Sequence, residues 1–255
     1  MNPLITSAFC AALVFAGGVG GIVLHRLLPE THQTIETRDV VRLAIGMLSV
    51  LASLVLGLLI STAKASSDGT DHDVRSFSAD VILLGETLRD YGQTASIPAG
   101  LLRDFTVQTI QDIWPADGVS GELADERTGQ TLERVREQIR ALTPVDTGQH
   151  WLQDQALQIV TSLIRQRWQL IEHQGPNIRP IVLVVLVSWI TVIFASFGFN
   201  APQNATVVAA FLVGACAIGG AVFLVLAMDN PFHGLLRISS IPMRNALTHM
   251  PSWSR

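Results

Sequence analysis

Charge is scarce in this 255-residue chain: Asp, Glu, Lys and Arg together make up 15% of it, against about 25% in soluble domains. The scarcity is uneven. Residues 1–24, 43–63, 180–199 and 200–228 contain none of the four. A helix rises about 1.5 Å per residue, so roughly 20 apolar residues cross the roughly 30 Å hydrocarbon core of a bilayer. Each stretch is long enough, and the lipid bilayer is the first partner to expect. Cysteine is nearly absent as well. Cys10 and Cys216 both fall inside apolar runs, which suits small packing residues rather than a disulfide framework. The net charge of −4 gives nucleic acid no basic surface to bind.

Catalytic signatures are missing too. The chain has no P-loop, HExxH, GxSxG or CxxC motif, and none of its seven histidines pairs with another at i, i+4. No enzyme, cofactor or metal site is expected. The Asp71-His72-Asp73 trio reads as helix capping and solvated charge. The interiors of the apolar stretches lack ionisable groups, which argues against a proton-relay pump. A channel stays open as a reading, because conduction can use backbone dipoles, helix ends and apolar constrictions.

What is present is helical pattern. Spans are expected at about 4–26, 43–63, 180–199 and 206–228. The first lacks a basic n-region and is too long for a signal peptide, so it is read as a permanent span. Pro29 breaks the first connection, and the uncharged "NAPQNA" makes the last two spans a tight hairpin. Residues 1–63 are thus a first transmembrane hairpin, 64–178 a helical insert, 179–228 a second hairpin and 229–255 a tail. The insert shows no sustained period-two alternation, so the fold class is all-α.

Four helices are expected in the insert. In the first, Val74, Phe77, Val81, Leu84, Leu88 and Tyr91 form a narrow apolar seam at steps of three and four. Asp71 or Asp73 is placed at its start and Gly92 at its end. Pro98 opens the second, which stops at Trp114-Pro115. The third carries Leu132, Val135, Ile139 and Leu142 and ends at Thr143-Pro144. The fourth runs from about 149 to 173, before Gly175-Pro176. Lys64, Arg75, Arg165, Arg167, Arg179, Arg237 and Arg244 lie on the insert's side of the spans, against Arg26, Arg38 and Arg42 on the other. That excess places the insert and both termini in the cytoplasm.

The second span carries two faces. Gly46, Ser49, Ser53 and Gly57 recur at steps of three and four, a small-residue stripe suited to close helix packing. The neighbouring face carries Val50, Leu54 and Leu58, which would face lipid by default. The run "SLVLGLLIST", 53–62, resembles the pore-lining second helix of the bestrophin family. The "DNPFHG" segment, 229–234, resembles the Asn-Pro-Phe-Gly stretch that follows the last span in that family. The order of two spans, insert, two spans and motif agrees, and much of the chain is similar to a bacterial bestrophin-like family of uncharacterised membrane proteins.

That resemblance implies a homo-oligomer, a pentamer, in the bacterial inner membrane, conducting small inorganic ions. Val50, Leu54 and Leu58 would form the pore neck. Gly46, Ser49, Ser53 and Gly57 would pack beside it, and Asp229, Asn230, Pro231 and Phe232 would be the post-helix motif. Position 233 is His where the motif has Gly, and no acidic cluster follows it. A calcium clasp, which needs several carboxylate oxygens, is therefore not expected. Two readings stand beside the channel: a membrane-anchored sensor whose insert is a four-helix ligand-binding domain, and a non-conducting scaffold.

Overall fold

The computed structural model describes residues 2–27, 35–114, 126–172, 179–202, 204–229, 232 and 237–250. The described residues are helical and contain no strand, so the all-α expectation holds. The expected breakers Pro29, Gly175 and Pro176, and most of the loop "PADGVSGELADERTG", lie outside them.

Eight α-helices are found among the described residues: α1 (Pro3–Leu27), α2 (Ile35–Tyr91), α3 (Ser96–Ile113), α4 (Glu126–Arg140), α5 (Thr147–Glu172), α6 (Pro180–Asn200), α7 (Ala205–Met228) and α8 (Ile241–His249). Four of them, α1, α2, α6 and α7, are long and apolar enough to cross a membrane. Asn204 caps α7, its side-chain oxygen accepting from the Val207 N–H at 3.0 Å.

One expectation is corrected. No helix starts at Asp71 or Asp73, because α2 runs unbroken from the apolar second span to Tyr91. The intervening "SSDGTDHD" is polar but holds no proline, and one internal glycine costs a helix only about 1 kcal/mol. Asp71 instead pairs within the helix with Arg75, one turn on, at 2.7 Å. Thr70 and Val74 are already buried there. Gly92 does end the helix, at φ 109°, the one positive φ among the described residues.

The chain divides into two compact units, residues 1–67 with 176–230, and residues 68–175 with 231–255. In the second, the α2 seam of Val74, Phe77, Val81, Leu84, Leu88 and Tyr91 is buried against α3, α4, α5 and α8. Phe105 of α3 is fully buried and its ring centroid lies 6.1 Å from that of Phe77. Helix α4 ends at Arg140, so Leu142 packs on the core from beyond its end. On the polar side, Asp80 of α2 accepts hydrogen bonds from Ser162 (3.2 Å) and Gln166 (2.7 Å) of α5. Helix α8 of the tail buries Met243 and Ala246 in the same core.

In the first unit α1 packs on α6 and α7, and glycine sets how close they come. A Cβ at Gly21 would land on the carbonyl oxygen of Ala195, and one at Gly198 on that of Gly18. At Gly17 it would stand 2.7 Å from Thr191 Cγ2. Small residues let helix backbones touch where lipid supplies no hydrophobic drive. A side chain at 21 or 198 must push backbone aside, which overpacked cores resist by about 1–3 kcal/mol. Gly21→Ala and Gly198→Ala are expected to lower the thermal unfolding midpoint of the purified protein. Gly20→Ala, with nothing within 4 Å of its Cβ, should leave it unchanged.

Candidate functional site

The second span is as apolar as its neighbours and uses least of its surface internally. Only 6% of its most apolar window is buried, against 33%, 33% and 22% for α1, α6 and α7. Its inward face is Ala52, with Ile45, Leu48, Val55, Leu56 and Leu59 packed around the same cluster. At 3.6 residues per turn, successive residues are separated by about 100°. Val50, Leu54 and Leu58 therefore stand on the opposite side, 61%, 66% and 69% exposed. Leu43 and Met47, at 68% and 71%, extend the same strip by another two turns. The sequence carries that extension as steps of four, three, four and four from residue 43 to 58, though the resemblance singles out only three of the five positions.

The stripe of small residues lies beside this strip. Gly46, Ser53 and Gly57 are exposed, and Ser49 is half-buried. A Cβ at Gly46 or Gly57 would meet nothing within 4 Å, so neither glycine packs on this chain. The hydroxyls are already satisfied: Ser49 donates to the Ile45 carbonyl at 2.7 Å and Ser53 to the Ser49 carbonyl at 2.8 Å. Such back-bonding hides a serine's polarity inside its own helix. From Leu43 to Ile60 the outward surface of α2 is thus largely apolar, with no ionisable side chain.

The post-helix motif is divided. Asp229 is 5% exposed at the end of α7, where its N–H donates to the Val225 carbonyl at 3.0 Å. Asn230 and Pro231 lie outside the described residues, as do His233 and Gly234. Phe232 is buried in the core of the second unit and meets Trp114 edge-on, ring centroids 6.4 Å apart. The Trp114 indole N–H donates to the Ile238 carbonyl at 2.8 Å. Trp114, Phe232 and Ile238 thus tie the tail to the end of α3. In the sequence Trp114 reads only as a helix stop, because its partner Ile238 lies more than 100 positions away.

Among the described residues no group of three His, Cys, Asp or Glu is placed to hold a metal ion. The strip on α2 is a surface for steric and hydration effects, since its aliphatic side chains neither ligate nor transfer protons.

A family profile described as Bestrophin-like domain matches residues 11–243. No curated protein matches the chain. Among solved structures, a point mutant of a bacterial bestrophin homolog from Klebsiella pneumoniae is similar at 12% identity, with 98% of this chain and 97% of that one covered and a TM-score of 0.70. A second point mutant of that homolog gives 12% identity, coverages of 95% and 97%, and a TM-score of 0.68. A crystal structure described as that of a membrane protein, also a point mutant, gives 13% identity, coverages of 98% and 98%, and a TM-score of 0.63. At such identities the likeness is one of fold.

The tail contacts can be tested directly. Large-to-small substitutions of buried Phe cost about 3–5 kcal/mol, while losing one hydrogen bond costs about 1 kcal/mol. Phe232→Ala should lower the unfolding midpoint well below that of Trp114→Phe, and both should fall below the parent in thermal melts.

Proposed function

The chain belongs to the bestrophin-like family, and on that premise we propose that it is an oligomeric ion channel of the bacterial inner membrane whose α2 helix lines the pore. The observation that carries this reading is the exposed strip of Val50, Leu54 and Leu58, opposite the face by which α2 joins its own chain. Copies arranged around an axis bring that strip to the centre. Gly46, Ser49, Ser53 and Gly57 then meet α2 of the adjacent copy, where absent side chains allow close approach.

Such a neck works without charge. A narrow ring of aliphatic side chains gives water few partners, so the pore dewets and closes, and slight widening rewets it. Ser49 and Ser53 spend their hydroxyl protons on their own helix and so have only acceptor lone pairs to offer water. The insert and termini are cytoplasmic in this reading, by the distribution of Lys and Arg. The family is one of channels rather than enzymes, and the pentamer is carried over from it. No fixed charge in the neck chooses the ion.

Two experiments check the proposal. In planar bilayers the purified protein is expected to pass current. Leu54→Ala and Leu58→Ala should raise open probability several-fold, while Val184→Ala on α6, exposed to a similar degree at 61%, should not. Absence of current in every form, or an equal effect of Val184→Ala, overturns the neck. A topology reporter fused at position 118, which lies outside the described residues, should read cytoplasmic. A periplasmic reading would favour the sensor.

A further inference from the structure

The second unit holds a groove that the pore reading does not use. It lies between α4 and α5 and measures about 800 Å³, within the range of small-molecule sites, roughly 300–1,000 Å³. One wall is apolar: Ile164, Ile171 and the indole of Trp168. Trp168 is 63% exposed, which leaves much of its ring open to whatever enters the groove.

The charged groups are arranged around that indole. Arg167 is 6% exposed and lines the groove, its guanidinium carbon 5.7 Å from the Trp168 ring centroid. It is seated there by a glycine: a Cβ at Gly129 would stand 3.0 Å from Arg167 Nη1 and 3.2 Å from its Cζ. Arg134 of α4 also lines the groove. Of the two carboxylates there, Glu133 is held by Arg136, and Glu137 lies three residues beyond Arg134.

Two guanidiniums in the lining and an exposed aromatic face on the apolar wall suit one ligand chemistry. We propose that the α4–α5 groove binds a flat aromatic anion, its ring on Trp168 and its acidic group towards Arg167 and Arg134. A planar guanidinium fork recognises a carboxylate or sulfonate by paired hydrogen bonds. The indole face supplies stacking that tolerates many ring systems. A neutral ring would gain only the stacking, and a cation would meet two guanidiniums against the one carboxylate, Glu137, that Arg136 does not hold. The site is independent of whether α2 conducts.

The test uses the full-length protein in lipid nanodiscs, with calorimetric titration of 2-naphthoate, neutral 2-naphthol and a naphthylmethylammonium cation. The expected order is naphthoate tightest, naphthol weaker by about tenfold, the difference one charge-assisted contact of about 1.4 kcal/mol makes, and the cation weakest. Arg134→Gln should reduce the preference for the anion, Arg167 remaining, without weakening naphthol. Trp168→Leu, at an exposed position, should weaken all three at an unchanged unfolding midpoint. Gly129→Ala, which displaces the flexible end of Arg167, should reduce naphthoate binding, and Gly100→Ala on α3, where a Cβ meets nothing within 4 Å, should not. Equal binding of the three probes, a preference for the cation, or naphthoate binding unmoved by Arg134→Gln and Trp168→Leu overturns the site. Iodide should also quench the emission that Trp168→Leu removes. If it fails to do so in the assembled protein, a neighbouring copy covers the groove and the proposal falls.

Discussion

A backbone amide in hydrocarbon must find its partner within its own segment, since lipid offers none. Helix α2 meets that demand and then continues to meet it through the polar "SSDGTDHD" stretch, so one hydrogen-bond ladder serves two environments. From Ile45 to Leu59 its inward face joins the cluster built by α1, α6 and α7. From Val74 to Tyr91 its seam anchors the cluster built by α3, α4, α5 and α8. Each cluster lacks a wall without this helix. A break near residue 70 would free four backbone N–H and four C=O groups, of which an Asp or Ser cap satisfies about one. Continuity is the lower-energy solution.

Close approach is the second constraint. Gly17, Gly21 and Gly198 let α1 and α6 touch at their backbones, and that contact leaves α2 attached through one narrow side around Ala52. The same economy appears in the second unit, where Gly129 admits the Arg167 guanidinium against α4.

Much of this is legible in the residues. Spans set by charge-free runs match α1, α6 and α7 within a residue or two at each end, because length and charge exclusion are averaged over about 20 positions. The α2 seam is legible for a similar reason: six apolar residues at steps of three and four leave one geometric solution. The continuity of α2 is not, because Asp71, Asp73 and Gly69 have the chemistry of a helix start and are also tolerated mid-helix when i, i+4 pairing offsets their cost. The burial of Phe232, Ile238 and α8 is not legible either. Those residues are sparse in apolar pattern, and their place depends on Trp114, more than 100 positions earlier in the chain. The strip on α2 is legible at Val50, Leu54 and Leu58 through a resemblance, and what the structure adds is their direction away from the chain's own core.

Direction alone does not single out α2. Leu4, Ile5 and Phe9 of α1, Ile181 and Val184 of α6 and Val213 of α7 are exposed to a similar degree, as lipid-facing residues must be. The outward surfaces of α1 and α6 include aromatic rings, Phe9 at 68% and Phe197 at 52%, and rings fill the uneven boundary with acyl chains without demanding a partner. The strip on α2 is aliphatic from Leu43 to Leu58 and is flanked by Gly46, Ser53 and Gly57, which cover almost no lipid. Beside bulky leucines such a stripe is a shallow groove, and a neighbouring helix fills it better than disordered acyl chains do. When helices pack into such grooves around an axis, the ridge beside the groove turns inward. In the channel proposed above, adjacent small and large stripes on one helix would serve together, the first for packing between copies and the second for an apolar lining at the centre.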